Sequence, residues 1–83
     1  MKHSFVANGS VIKGKVEGSI ISRGVVVERG AKVKNCILFT GTEIGRNVDM
    51  EYVLCDKNSK VNMVKDLKGG PDGVLYIQQG AKI

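Results

Sequence analysis

Few side chains in this sequence are equipped for chemistry, and their spacing limits what they can do. The one histidine, His3, stands near the N-terminus. General-base catalysis needs an imidazole held against its partner, and chain termini fray, so His3 is read as a surface residue. One histidine also excludes a zinc site built from several histidine ligands. Cys36 and Cys55 lack CxxC spacing, and two cysteines are too few for a disulfide framework. They read as small, buried or half-buried residues in a reducing compartment. No Gly-rich nucleotide loop is present, and no aspartate stands in a metal-binding setting beside one.

Charge and composition narrow the field further. The 83 residues carry 13 basic and 8 acidic side chains, a net charge of +5. The basic residues are dispersed among the acids, which describes a solvated mixed surface rather than a nucleic-acid footprint. Two Phe and two Tyr without basic clustering offer no base-stacking platform, so no nucleic-acid partner is expected. No apolar run is long enough to cross a membrane, and Met1-Lys2-His3-Ser4 lacks a signal-peptide stretch. A cytoplasmic protein without a membrane partner is the expectation.

What must position any functional group is a repeat. Val16-Glu17-Gly18-Ser19-Ile20-Ile21 aligns with Val33-Lys34-Asn35-Cys36-Ile37-Leu38 and with Met50-Glu51-Tyr52-Val53-Leu54-Cys55, each 17 residues on. Val27, Ile44 and Val61 keep the same offset, as do Phe5, Ser22, Phe39 and Asp56. Steps of five or six residues, three to a coil, predict an all-β fold: a single-stranded parallel β-helix, a hexapeptide-repeat solenoid of about 17 residues per coil. Its sides would stack about 4.8 Å apart. Val11, Val16, Val27, Val33, Phe39, Ile44, Met50, Val61 and Leu67 are the expected core, with Ile20, Ile37 and Leu54 in one further inward column and Ala31 and Val48 in another.

Corners need backbone with positive φ, which Gly accepts and Asn tolerates. Gly24, Gly41 and Asn58 supply one corner column, Gly30 and Asn47 a second, and Gly18 and Asn35 begin a third. Tyr52 and Val64 interrupt two of these. Glu17, Lys34, Glu51 and Lys68 alternate in sign along one outward column. Asp56 falls where an apolar anchor belongs. Either the coil shifts so that Cys55 points inwards, or Asp56 bonds backbone at a corner; the first is preferred because an unpaired buried carboxylate is costly.

The expected organisation is a disordered or leader segment over residues 1–4, coils over 5–67, and a turn plus short C-terminal capping strand over 68–83. The capping strand is Val74-Leu75-Tyr76-Ile77, after the turn-rich Lys68-Gly69-Gly70-Pro71-Asp72-Gly73. Open solenoid ends expose strand edges and apolar core, so both need cover. The N-terminal end shows no cap of its own and is expected to meet another subunit or a segment outside the chain.

The runs Ser4 to Ile12 and Val16 to Val25, the segments Thr42-Glu43-Ile44-Gly45 and Val53-Leu54-Cys55-Asp56-Lys57, and the tail from Leu67 to Ile83 together resemble a known domain. It is the C-terminal β-helix of bacterial glucose-1-phosphate adenylyltransferases (ADP-glucose pyrophosphorylases), and the tail looks most like the regulatory, glycogen-biosynthesis-type subunit. The resemblance implies a left-handed solenoid and a parent with a nucleotide-binding α/β domain. That parent joins ATP and glucose 1-phosphate to give ADP-glucose and pyrophosphate, using Mg. None of the family's catalytic residues maps onto this chain, which contains no cofactor site of its own and is not catalytic alone. The resemblance further implies an oligomerisation and allosteric-regulatory role, in homo- or hetero-oligomers with catalytic subunits, near pockets for anionic sugar-phosphate effectors. Arg29, Arg46, Lys57 and Lys60 are the effector-binding candidates, with Arg23 and Lys65 beside them; Arg29 and Arg46 share a column and would present two guanidinium groups to one anion. A hexapeptide-repeat acyltransferase fragment and a free-standing scaffold are the alternatives, the first weakened by its dependence on His3.

Overall fold

The computed structural model describes residues 4–83. Every regular element among them is a short strand, and the strands form three parallel sheets that enclose an aliphatic interior. The first sheet stacks β1 (Phe5–Val6), β4 (Ile20–Ile21), β7 (Ile37–Leu38), β10 (Val53–Cys55) and β13 (Leu75–Ile77) in that order. The second stacks β2 (Val11–Ile12), β5 (Val26–Val27), β8 (Glu43–Ile44) and β11 (Lys60–Val61). The third stacks β3 (Lys15–Glu17), β6 (Lys32–Lys34), β9 (Asp49–Glu51) and β12 (Asp66–Lys68). The chain visits the sheets in rotation, so successive coils lie over one another and the repeat is a β-solenoid.

The 17-residue offset holds through the central coils: Val16 lies under Val33, Val27 under Ile44, and Ile20 under Ile37. Val16, Val27, Val33, Ile44, Met50 and Val61 are buried, as are Ala31 and Val48. Leu67 is half-buried because β12 is the last rung of its sheet.

The first coil is shorter, and this corrects the expected core. Phe5 pairs with Ile20 and Ile12 with Val27, offsets of 15 residues. The shortening lies in one corner. Only Lys13-Gly14 joins β2 to β3, whereas Glu28-Arg29-Gly30-Ala31 joins β5 to β6. Ile12 therefore faces the interior and Val11 faces out, 45% exposed. The tight corner needs glycine at position 14, where a Cβ would sit 2.5 Å from the Ala31 carbonyl oxygen and 2.7 Å from that of Glu28.

The first sheet requires a second correction. Strand alternation turns Ser19, Ile21, Cys36, Leu38, Val53 and Cys55 inwards, so Ile20, Ile37 and Leu54 stand on the outer surface. Phe39, next along from the inward Leu38, is likewise an outer residue, 36% exposed. Aliphatic residues occur on both sides of these strands, and the small inward Ser19 and Cys36 disguise the true interior column. Cys55 does point inwards, the preferred of the two expectations, but the whole sheet shares its register rather than one coil shifting alone. Asp56 also sits at a corner, its carboxylate accepting from the Lys57 N–H at 2.7 Å.

Tyr52 does not interrupt its corner. It keeps φ +54° in the column of Gly18 (+59°) and Asn35 (+54°), a conformation that costs a non-glycine residue roughly 1–2 kcal/mol. Val64, by contrast, lacks the positive φ of Gly30 and Asn47, and the corner before β12 loses the repeated form.

At the N-terminal end, Ser4 accepts a hydrogen bond from the Ser19 N–H at 3.2 Å; the rest of the expected leader lies outside the described residues. At the other end, residues 69–74 form an insertion closed by paired Gly70–Gly73 backbone bonds, after which β13 pairs with β10 at an offset of 22 residues. Ile77 then lies over Cys55, and the Lys60 N–H donates to the Ala81 carbonyl at 2.7 Å. The tail thus adds a fifth rung to the first sheet and partial cover to the second.

Gly14→Ala is expected to destabilise the fold by about 1–3 kcal/mol, because the methyl group meets backbone rather than a movable side chain. Gly73→Ala, with nothing within 4 Å of the added Cβ, serves as the control and should change stability by less than about 0.5 kcal/mol. Urea-unfolding midpoints of the two variants check this.

Candidate functional site

The interior leaves little for chemistry. Cys36 and Cys55 are free and buried. Burial raises both thiols, Cys55 to about 12, where the neighbouring Cys36 adds to the shift. Thiols held this far from ionisation are poor nucleophiles and poor metal ligands. Cys36 also directs its Sγ to the Lys34 carbonyl at 3.2 Å, in a corner column where the Ser19 hydroxyl accepts from the Cys36 N–H at 3.0 Å. Among the described residues no three His, Cys, Asp or Glu side chains converge as a metal site. His3 lies outside the described residues.

Any function therefore resides on the outer faces. Arg29 and Arg46 occupy equivalent places at the corner between the second and third sheets, each one residue before a positive-φ corner residue, Gly30 or Asn47. Both are exposed. The Lys65 ammonium joins this corner, donating to the carbonyls of Arg46 at 2.9 Å and Asn62 at 2.6 Å. Lys57 lies elsewhere, at the corner between the first and second sheets, beside Asn58. Lys60 points out from the second sheet and is paired with Glu43 at 3.3 Å. The four effector candidates thus divide between two corners and the sheet that separates them.

The surface that the repeat alignment failed to reveal is the outer face of the first sheet. Phe5, Ile20, Ile37, Leu54 and Tyr76 stand in one column through all five rungs. Phe5 is 66%, Ile20 50% and Tyr76 57% exposed. Phe39 widens the patch. A period-2 reading of each strand, anchored on the small residues Ser19 and Cys36, would have found it.

Asp56 and Tyr76 fasten the last rung of that face. The Tyr76 hydroxyl donates to Asp56 Oδ2 at 2.6 Å, and the Asp56 N–H donates to the Ile77 carbonyl at 2.9 Å. The Tyr76 hydroxyl, helped by the Lys57 N–H, holds the Asp56 carboxyl below its ordinary range, while the Asp56 acceptor raises Tyr76. Asp56 has a depressed folded pKa. Its share of the tie is full above the unfolded value of about 4 and is lost as pH falls through the folded value. Tyr76 has a raised folded pKa, so its share is full below about 10 and is lost as pH rises through the folded value. Tyr76→Phe is expected to move the Asp56 carboxyl titration upwards in carbon-13 NMR and to speed amide exchange in β13 at neutral pH. An unchanged Asp56 titration would show that the tie does not form.

Comparison with known proteins gives relatives over nearly the whole chain. The family described as GlmU-like, C-terminal hexapeptide matches residues 1–71. Glycogen biosynthesis protein GlgD of Bacillus subtilis (strain 168) is 39% identical over 80 residues, 96% of this chain and 23% of the relative. Glucose-1-phosphate adenylyltransferase of Corynebacterium jeikeium (strain K411) is 40% identical over 60 residues, 71% of this chain and 15% of the relative. The adenylyltransferase of Bacillus cytotoxicus is 35% identical over 81 residues, 94% of this chain and 22% of the relative. The chain spans less than a quarter of the length of each. No solved structure matches it.

Proposed function

The chain belongs to the GlmU-like C-terminal hexapeptide family, and from that premise we propose that it is the assembly and regulatory domain of a glucose-1-phosphate adenylyltransferase-like protein in bacterial glycogen biosynthesis, of the GlgD type. What supports this is the apolar ladder on the first sheet. A contiguous apolar surface crossing five rungs is the mark of a face seated against other protein. The relatives contain several times the length of this chain, and the occupant we assign to the ladder is the nucleotidyltransferase portion of such a protein or its catalytic partner subunit. The left-handed winding implied by the resemblance belongs to the same proposal, as does a cytoplasmic location. No helix among the described residues is long and apolar enough to cross a membrane.

Catalysis is assigned outside this chain. In the parent reaction, ATP and glucose 1-phosphate give ADP-glucose and pyrophosphate, with Mg²⁺ as the expected metal. The residues here do not fit the metal: Asp49 and Asp66 are already closed by the Lys68 ammonium at 2.6 and 3.2 Å. The regulatory part of the proposal falls on the corner where Arg29 and Arg46 occupy equivalent places, with Lys57 and Lys60 as outlying contacts for an anionic sugar phosphate. Paired guanidinium groups suit phosphate oxygens, and Lys60 must first exchange Glu43 for the ligand.

Mixing the protein with the glucose-1-phosphate adenylyltransferase of the same genome tests both parts. Association by light scattering is expected. The double variant Ile20→Ser, Leu54→Ser should weaken it at least about tenfold, since each buried aliphatic side chain is worth about 1.5–3 kcal/mol. Fructose 1,6-bisphosphate should alter the activity of the mixture, and Arg29→Ala with Arg46→Ala should remove that response. Absence of association, or association indifferent to the apolar-face variant, refutes the assembly role; a response surviving both arginine substitutions refutes the effector corner.

A further inference from the structure

The outer face of the third sheet carries a charge pattern that single ion pairs do not explain. Each of its strands turns its middle residue inwards and its two flanking residues outwards. All eight outward residues are charged, in two columns. The first column reads Lys15, Lys32, Asp49, Asp66, and changes sign once, halfway up. The second reads Glu17, Lys34, Glu51, Lys68, and alternates. A shallow furrow with Val33 in its lining runs over this face. Within the chain, Lys34 pairs with Glu51 at 3.7 Å and Lys68 with Asp49 and Asp66. Lys15, Glu17 and Lys32 have no ion-pair partner among the described residues.

We propose that this face docks against the same face of a second copy of the chain, with the two solenoid axes antiparallel. The half-turn that relates the copies lies in the interface, parallel to the strands, and passes between β6 and β9. It leaves each column facing itself in reverse order. Lys15 then opposes Asp66 of the partner subunit, and Lys32 opposes Asp49 of the partner subunit. In the other column Glu17 opposes Lys68 of the partner subunit, and Lys34 opposes Glu51 of the partner subunit. Every opposed pair is of opposite sign. The alternative half-turn, about an axis parallel to the solenoid, brings the two columns together within a rung. It sets Lys32 against Lys34 and Asp49 against Glu51, so like charges meet on both central rungs. Like-charge contacts of this kind are what exclude a wrong orientation, while exposed opposite charges add little affinity.

The face is also small. Four rungs at about 4.8 Å by three residues give a contact well below the roughly 800 Å² per partner of a stable complex. Its role is to set the relative direction of two copies brought together elsewhere. This deepens the assembly role proposed above but rests on the charge pattern alone, and it would hold equally for a free-standing solenoid.

Disulfide trapping detects so weak a contact. Chains carrying Lys32→Cys are mixed with chains carrying Asp49→Cys, and in parallel with chains carrying Lys34→Cys; the native cysteines are buried and do not compete. The expected result is at least about fivefold more mixed dimer from the Lys32/Asp49 mixture, with the excess abolished in 1 M NaCl, where the screening length is about 3 Å. A charge exchange supplies the second arm. With Glu17→Cys and Lys68→Cys chains as the opposed reporter pair, Lys32→Glu in both chains, or Asp49→Lys in both, should lower the mixed-dimer yield at low salt, and mixing Lys32→Glu chains with Asp49→Lys chains should restore it. Equal trapping in the two mixtures, a greater yield with Lys34→Cys, a salt-independent yield, or no recovery on mixing would each overturn the antiparallel contact. None of these outcomes bears on the apolar-face variant Ile20→Ser, Leu54→Ser, whose loss of binding to the adenylyltransferase is read separately.

Discussion

The whole structure depends on backbone hydrogen bonds that run from coil to coil. Strands of two or three residues cannot stand alone, and each becomes stable only when its N–H and C=O groups meet those of the rungs above and below. The bonds recur with little variation: Val11 N–H to Val25 O at 2.9 Å, Val26 N–H to Thr42 O at 3.0 Å, and Glu43 N–H to Ser59 O at 2.9 Å. Keeping them in line forces every coil to close on the same path. A residue inserted into a coil must leave it as a loop, as residues 69–74 do, and a residue removed must be absorbed in a corner, as at Lys13-Gly14. The inner columns then follow as packing. Val, Ile, Leu and Met fill the interior, and the few inward polar groups are satisfied at corners, where Thr42 donates to the Asp56 carbonyl at 3.2 Å and Ser59 to it at 2.7 Å.

This constraint decides what could be read from the sequence. The third sheet was legible because its inward residues, Val16, Val33 and Met50, are flanked on both sides by charges, so alternation and the 17-residue offset agree. The first sheet was not, since Ile20, Ile37 and Leu54 are as apolar as the Ile21, Leu38 and Cys55 beside them. Pattern alone cannot assign a face when both faces are apolar. Asp56 was the one residue that marked the error, and its message applied to the whole sheet. Val11 was misplaced for a different reason. The missing two residues of the first corner leave no trace except Gly14, whose need for glycine arises from a backbone in the next coil. The arginine column was visible as a 17-residue pair, but its separation from Lys57 by the width of a sheet follows only from the closed path of the coil.

The two ends are unequal, and this bears on assembly. The C-terminal rung covers the first sheet through β13 and the second through Ala81 and Ile83, while β12 remains the edge of the third. At the opposite end Val6 and Ile12 are only partly buried against the core. Edge strands so placed are ordinarily covered or charged. The edge strand β12 carries Asp66 and Lys68, charges that discourage further pairing. The edges β1 and β2 carry Phe5, Val11 and Ile12, which do not. The charged edge belongs to the sheet whose outer face is wholly charged, and the apolar edges adjoin the ladder of the first sheet.

A stacked repeat also determines the form its surfaces can take. Because equivalent positions recur one strand spacing apart, any outward preference becomes a linear array. Apolar residues in one outward column give the ladder of the first sheet, and charges in two columns give the lattice of the third. The two arrays differ in kind. Apolar burial scales with area and has no direction, so the ladder can hold a partner firmly without fixing which way it runs. Charges in a fixed sequence contribute little affinity but distinguish one direction from its reverse. A domain that must both bind and orient its neighbours needs each of these, and the solenoid provides them on separate faces at no cost to the core, whose residues are the same whichever array lies outside.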